Sequence, residues 1–430
     1  MVYLTQLLST SFDAIKDTLS RWGLNWVGGI DFEFSSKVNF ISKAIMGMFA
    51  WLGNYGWTII LFTLFLRLLT LPLDFWQKFS MKKNSKIMGE ISEIMEKIDK
   101  AYANNPQSAN AEKQKVMKKY GYKPFGMCLP TIVTMAVFIF MYTSLSNCGS
   151  ALNIKTYQKM QETYLTAYCQ VIDRYKDAPT SVSDGQGGYY TPMYYAEHKG
   201  EAWFAALSQQ DKETLQAEYD RISAEAERYA KQQTVIKYET DREGFLWIKS
   251  IWRSDGWQKA LPENYSGFTG ALSGNKNTDG LTAPDLYANI YDALSNPEKY
   301  FDAQNPTEAA ELTKAQKALG YGKNKWNGLL ILPVLAVALS FVTTLIGNKS
   351  QGNLGTGQQA QNAKSQQKMM MFIMPIMMGV FALTNSAAFA LYLVASSVFS
   401  ILFNLIETPI IDKMVSKRAG VVKKDVGYRR

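Results

Sequence analysis

The sequence predicts an all-α polytopic membrane protein, from the distribution of its charges and the length of its apolar stretches. Only 19% of its 430 residues are charged, against about 25% in an average globular domain. Residues 124–154, 326–348 and 369–406 carry no charge, and residues 44–73 carry Arg67 alone. About 20 helical residues cross a bilayer core, where an irregular backbone would lack hydrogen-bond partners. A soluble protein with buried helices is the alternative, and repeated uncharged stretches of this length argue against it.

Two of these stretches exceed one crossing and are expected to turn. Residues 369–406 would form a helix about 57 Å long, so we predict a turn at Thr384–Ser386. The motif Gly53–Gly56 indicates another turn, which follows an interfacial helix over 37–52. Residues 1–12 lack the pattern of a secretory signal peptide and are expected to form an amphipathic surface helix. The predicted spans are 55–73, 125–145, 326–346, 369–384 and 386–406.

The basic residues indicate the orientation of these spans. Residues 74–124 carry eleven lysines and six acids, residues 347–368 carry three lysines and no acid, and residues 407–430 carry seven basic residues and three acids. Because lysine and arginine collect in short cytoplasmic loops, all three segments are expected inside. The N-terminal segment 1–54 is then extracytoplasmic or interfacial, residues 146–325 form a large extracytoplasmic insertion, and the C-terminus is cytoplasmic.

The cytoplasmic segment 74–124 is predicted to be a helical hairpin. Its first helix, over 79–103, is predicted by isoleucines at helical spacing, namely Ile87, Ile91, Ile94 and Ile98. Asn104–Pro106 breaks this helix, and a second helix follows over 107–120. A solvated loop with helical propensity and a nucleic-acid-binding arm are the alternatives. Mixed charge and few aromatic residues argue against the nucleic-acid-binding arm.

Arg67 is the one charge inside a predicted span, and it has two interpretations. A charge in a span usually faces a bundle interior or a water-filled cavity, but a long arginine side chain also reaches the interface by snorkelling. Ser396, Ser400 and Asn404 share one face of the last span, which favours a hydrated cavity. No acid lies in any predicted span to pair with Arg67, which argues against a proton relay. The candidate cavity residues are Thr63, Arg67, Thr131, Thr134, Tyr392, Ser396, Ser397, Ser400 and Asn404.

Five short motifs resemble, in the same order, those of the YidC/Oxa family of membrane protein insertases. They are Asn54–Trp57, Leu71–Leu73 shortly after Arg67, Tyr122–Pro130, Lys368–Pro375, and Phe389–Val394 followed by Ser396 and Ser397. The chain departs from the family pattern at Thr134–Ala136, where the family often has Gln-Met-Pro, and at Ser397, where it has Asn. These departures affect the polarity expected inside the helix bundle.

The resemblance implies a five-helix YidC/Oxa-type core with a cytoplasmic hairpin and a large insertion between core helices 2 and 3. Within the insertion, Phe245–Ile248 resembles the interfacial segment that precedes the third core helix. Trp247, Ile251 and Trp252 then lie either in the headgroup layer or in the core of the insertion. The role of the insertion itself stays open.

The same resemblance implies an insertase and chaperone that works through a hydrophilic groove, without nucleotide hydrolysis, catalytic residues, metal or cofactor. Its expected partners are nascent membrane proteins and the lipid bilayer of a bacterial cell membrane, and DNA is not expected. A Sec translocon contact is left open. The basic tail has two interpretations, contact with the ribosome or anchoring on anionic lipid.

The residues argue against three other function classes. A membrane-anchored scaffold or adhesion protein acting through residues 146–325 would need only one span. A solute channel or transporter would be expected to show inverted repeats, and the first span has no second copy. An intramembrane hydrolase needs catalytic acids or a histidine, but the only histidine, His198, lies in the insertion. Cys128 is expected to pack inside a span, and whether Cys148 and Cys169 pair is left open.

Overall fold

The computed structural model describes residues 40–123, 125–198, 200–257, 260–274, 281–320, 326–350 and 358–425. Within these ranges the regular structure is helical, and the β pairing consists of isolated bridges such as Ser183–Tyr189 and Phe245–Ile248. The helices are α1 Phe40–Leu52, α2 Tyr55–Ala101, α3 Pro106–Lys119, α4 Phe125–Tyr175, α5 Pro192–His198, α6 Ala202–Ala206, α7 Gln209–Asp241, α8 Tyr265–Leu272, α9 Pro284–Ser295, α10 Pro306–Leu319, α11 Ile331–Ser350, α12 Gln358–Thr384 and α13 Ala387–Asp425. The surface helix expected over 1–12 lies outside the described residues.

The described chain forms two compact units. The bundle unit consists of Phe40–Ser146, Ile251–Trp257 and the chain from Gly328 onward, and the insertion unit consists of Asn147–Ser250 and Gln258–Asn327. By length and composition, three described helices can cross a membrane, within Tyr55–Ala101, Ile132–Tyr175 and Ala387–Ser416. Ile331–Gly347 and Met371–Thr384 are shorter apolar helices. This all-helical structure, with several apolar helices, is that of a helical membrane protein.

Helix α2 begins at the predicted turn and then runs further than expected. Gly53 has a φ of 67°, which favours glycine, and Asn54 Oδ1 accepts a hydrogen bond from the Gly56 N–H at 2.9 Å. The helix continues for 47 residues through Pro72. We expected separate helices over 55–73 and 79–103. They are continuous because the residues after Pro72 are mostly good helix formers and supply no stop signal.

The end of α2 and the start of α3 form the predicted hairpin break. Asn105 caps α3 by accepting a hydrogen bond from the Ser108 N–H at 3.1 Å, and Pro106 occupies the first turn. The seam between the two helices contains buried Ile87, Ile91 and Met95, with Val116, Met117 and Tyr122 packed against them. Ile94 and Ile98 are only partly buried, because a strict spacing of four residues puts Met95 on the seam instead.

The segment Ile251–Trp257 belongs to the bundle unit and caps its helices. The Ile251 carbonyl accepts a hydrogen bond from the Ala388 N–H and the Arg253 carbonyl accepts one from the Ala387 N–H, both at 2.8 Å. These bonds satisfy donors at the start of α13 that have no partner within the helix. Trp252 packs edge-on against Tyr55, with ring centroids 5.1 Å apart.

Ile251 and Trp252 therefore correct an expectation from the sequence. Both are buried in the bundle unit, rather than facing lipid headgroups or lying in the core of the insertion. The reason is the capping contacts just described, which the local sequence does not reveal. Trp247 is partly buried and belongs to the insertion unit.

Asp255, which is fully buried, caps the start of α11. Its Oδ1 accepts hydrogen bonds from the Leu329 and Leu330 N–H groups at 2.8 and 3.2 Å, and its Oδ2 accepts one from the Leu332 N–H at 2.7 Å. A negative charge at this position also interacts favourably with the helix dipole. Gly328 permits the contact, because a Cβ atom there would lie 1.8 Å from Asp255 Oδ1.

The insertion unit has its own apolar core, built mainly by α4, α7 and α9. Helix α7 contributes the small side chains of Ala226 and Ala230 to this core, and other helices contribute aromatic rings. Tyr157 of α4 lies 4.5 Å from the Phe268 ring and 4.8 Å from the Tyr287 ring, centroid to centroid. Helix α4 runs without a break over 125–175, so the predicted span 125–145 is the first part of a longer helix.

Cys148 and Cys169 are both buried, and neither forms a disulfide. They lie 21 residues apart on the continuous helix α4, a separation of about 31 Å, which no disulfide can bridge. Burial raises the pKa of the Cys169 thiol to about 12, so this residue stays a protonated packing side chain at neutral pH.

A polar cavity around Arg67

Two helices of the bundle unit bring polar side chains together. On α2, Thr63, Arg67 and Thr70 recur at helical spacing and share one face. On α13, Tyr392 and Ser396 share the facing side. Arg67 joins the two helices, because its Nε donates to Ser396 Oγ at 2.9 Å and its Nη2 donates to the same oxygen.

These side chains line a cavity of about 460 Å³. One wall is polar and comes from α2 and α13. The other wall is apolar and adaptable, because α12 contributes Met374, Met377 and Met378 to it. Helices α4 and α11 complete the lining with residues that include Thr134 and Ser340. The cavity is therefore amphipathic and lies among helices whose outer faces are apolar.

Asp74 is a cavity residue that sequence reasoning missed. It lines the cavity, and its Oδ2 lies 3.6 Å from Arg67 Nη1. The expectation that Arg67 has no acidic partner is therefore wrong. The predicted span ends at Leu73, whereas α2 continues beyond it. A separation of seven residues in a helix puts Asp74 on the same face as Arg67, and this spacing in the sequence indicates the contact.

Six of the nine candidate cavity residues line this cavity: Thr63, Arg67, Thr134, Tyr392, Ser396 and Ser397. Ser400 and Asn404 lie further along α13, outside the lining, and Asn404 is buried. Thr131 lies in α4, but its side chain is outside the described part of the structure. Thr63 donates to the Ile59 carbonyl at 2.6 Å, so its hydroxyl is already satisfied within α2.

Beyond the cavity, two ion pairs hold α2 against α13. Lys78 pairs with the buried Glu407, and Lys82 pairs with Asp412. Both lysines belong to the segment 74–124, which the sequence predicts to be cytoplasmic, and in the structure they lie along the seam between α2 and α13. Among the described residues, no group of three or more His, Cys, Asp or Glu side chains is arranged to hold a metal ion.

The fold and this cavity define a class: a helical membrane protein with an arginine held in a polar cavity between apolar helices. The family model described as "60Kd inner membrane protein" matches residues 47–414. The chain belongs to that family, the YidC/Oxa family.

Curated relatives named "Membrane protein insertase YidC" match shorter regions. The protein of Wolinella succinogenes is 34% identical over 114 residues, which is 26% of this chain and 20% of the relative. That of Caldanaerobacter subterraneus is 38% identical over 95 residues, 22% of this chain and 44% of the relative. That of Chlorobaculum tepidum is 34% identical over 156 residues, 31% of this chain and 26% of the relative. The matches thus span less than half of each relative's length. No solved structure matches the chain.

Proposed function

We propose that this chain is a membrane protein insertase and chaperone. The observation that carries the proposal is the amphipathic cavity around Arg67, which lies within apolar helices of a member of this family. Such a cavity gives polar groups a place inside a membrane protein, where apolar lipid would otherwise surround them. The named activity of the relatives is consistent with this use.

The proposed topology has five spans, formed by the apolar parts of α2, α4, α11, α12 and α13. The N-terminus lies outside and the C-terminus lies in the cytoplasm of a bacterial cell, with the hairpin α2–α3 inside and residues 146–325 outside. The lysine-rich segments 74–124 and 347–368 support this orientation, because short basic loops stay in the cytoplasm.

The proposed mechanism reduces the cost of moving a polar segment through lipid. An unpaired polar or charged group costs several kcal/mol or more in hydrocarbon. In the cavity, Arg67 and the hydroxyls of Ser396 and Ser397 offer hydrogen bonds to such a segment, and the methionines of α12 contact its apolar neighbours. The apolar helix of the substrate then partitions into lipid, driven by its own hydrophobicity. This step uses neither nucleotide hydrolysis nor a catalytic residue.

The partners follow from the proposed activity. They are nascent membrane proteins and the bilayer of a bacterial cell membrane. The basic C-terminal tail is proposed to contact either the ribosome or anionic lipid, and a Sec translocon is proposed as a neighbour during co-operative insertion.

Complementation tests the proposal. A bacterium depleted of its own insertase would express the chain, and membrane insertion of a small single-span protein would be measured by protease protection. The intact chain should restore growth and insertion, and Arg67→Ala should reduce insertion at least about tenfold, which corresponds to about 1.4 kcal/mol. Leu68→Ala is the matched control, because Leu68 is exposed next to Arg67 on α2. A membrane-integrated chain that restores no insertion would contradict the proposed function.

A further inference from the structure

The cavity contains two charges of opposite sign. Among its lining residues, Arg67 and Asp74 are the ones with ionisable charge at neutral pH. With both groups ionised the lining is electrically neutral overall. It is nevertheless strongly dipolar, because the two charges lie seven residues, or about two turns, apart on one face of α2.

The contact between these two charges is loose. Asp74 Oδ2 lies 3.6 Å from Arg67 Nη1, which is too long for a hydrogen bond but close enough for a strong Coulombic interaction in a partly dehydrated site. Arg67 directs its hydrogen bonds from Nε and Nη2 to Ser396 instead. The two side chains are 28% and 18% exposed. Both charges are therefore accessible from the cavity.

The neighbouring lysines lie outside the cavity lining and pair with acids of α13. Lys78, one turn beyond Asp74, pairs with Glu407, and Lys82, a turn further, pairs with Asp412. Each of these lysines is neutralised by its own acidic partner, although Lys78 also attracts Asp74 electrostatically. Among the lining residues, Asp74 is therefore the carboxylate that offsets Arg67.

We infer that Asp74 sets the charge preference of the cavity for the polar segment it receives. This inference rests on the proposed function. A lone arginine would favour acidic segments and repel basic ones. With Asp74 beside it, a segment of either sign meets one attractive and one repulsive charge, so the cavity accepts acidic and basic tails with similar efficiency. Asp74 is a specificity-determining residue in this account, and the substrate class is polar tails of either charge.

Reconstitution of the full-length chain in liposomes tests the inference. Three single-span test proteins would be compared, identical except for one tail residue that is Gln, Asp or Lys, and insertion would be measured by protease protection. Each result is expressed relative to the Gln tail with the same variant. Asp74→Asn should raise the ratio of Asp-tail to Lys-tail insertion about tenfold, and Arg67→Gln should lower it by a similar factor. Asp74→Glu, which keeps the charge, should retain the wild-type ratio.

Glu96→Gln provides the matched control, because it removes one negative charge from a half-exposed position on α2, paired with Lys100 and outside the cavity lining. It should leave the Asp-to-Lys ratio as in the wild type. If Asp74→Asn changes insertion of all three tails equally, Asp74 only holds Arg67 in position and the inference is overturned. If the wild-type chain fails to insert even the Gln tail, the proposed function itself is contradicted.

Discussion

The bundle unit and the insertion unit place their apolar side chains in opposite ways. In the bundle unit Phe65 is 57% exposed, whereas the polar Thr63, two residues away on α2, is fully buried. In the insertion unit Phe268 is only 4% exposed and packs between Tyr157 and Tyr287. An outward apolar surface is stable in lipid and an inward one is stable in water. The two units are thus built for different solvents within one chain.

Helix and turn capping differs between the units in the same manner. In the bundle unit, the capping carboxylate of Asp255 is fully buried and accepts three backbone hydrogen bonds. In the insertion unit, Asp184 makes a comparable turn contact with the Gln186 and Gly188 N–H groups, but at an exposed position. Water replaces lost hydrogen bonds at the exposed site and not at the buried one.

The largest expected difference in stability between the two units comes from removing one aromatic ring from each. Phe268→Ala should reduce the unfolding free energy of the insertion unit by about 3–5 kcal/mol, because it leaves a cavity in a packed core. Phe65→Ala should cost less than about 1 kcal/mol in detergent, since that ring faces solvent or lipid in the folded chain. Hydrogen exchange of α9 and α2 in the solubilised protein would measure both. Equal losses would show that the two units do not differ as described.

A smaller effect is expected from the two capping aspartates. Asp255→Ala should destabilise the start of α11 by about 3 kcal/mol, because three backbone N–H groups lose their partner in a buried site. Asp184→Ala should cost about 0.5 kcal/mol. Gly328→Ala should reproduce the Asp255→Ala result, because the new Cβ displaces the carboxylate. The measurement is hydrogen exchange of the α11 amides. Wild-type protection of these amides in both Asp255→Ala and Gly328→Ala would contradict the capping role of Asp255.

The smallest effect is a pH dependence of the stability of the insertion unit. Burial raises the pKa of Glu243 to about 7, with Lys159 opposing the shift and Asp241 adding to it. In the unfolded chain the same carboxyl has its ordinary pKa of 4.5. The folded unit therefore binds the extra proton between these values, so its stability falls as pH rises from about 4.5 through about 7.

Glu243→Gln should reduce this slope, measured by denaturant unfolding of the insertion unit at several pH values. Glu213→Gln, at an exposed position of α7, is the control and should keep the wild-type slope. A slope unchanged by Glu243→Gln would assign the pH dependence to another group.

The sequence was informative where local chemistry decides the structure. The breaks after Leu52, between α2 and α3, and between α12 and α13 coincide with turn residues such as Gly53, Asn105 and Asn385. Six of the nine candidate cavity residues meet, because polar side chains in apolar helices have few favourable places to go.

The sequence was uninformative where the structure depends on residues distant in the chain or on the surrounding solvent. The ends of a membrane span depend on the headgroup layer, while the helix itself continues as long as its residues favour it, as α2 does through Pro72. Asp74 lies just after the predicted end of the span but still within α2, so it was not among the predicted cavity residues. The capping role of Asp255 depends on residues 74 to 77 positions away in the sequence, and no local pattern indicates such a contact.

The proposed function depends on a hydrated polar cavity behind the apolar exterior of the bundle unit. Two adjacent residues of α13 test it, because Ser397 lines the cavity and Val398 is exposed on the outer surface. In a chain without its three native cysteines, Ser397→Cys and Val398→Cys would be treated in membranes with a charged, water-soluble maleimide. Labelling of position 397 and protection of position 398 is the predicted result. Protection of position 397 equal to that of position 398 would contradict the account.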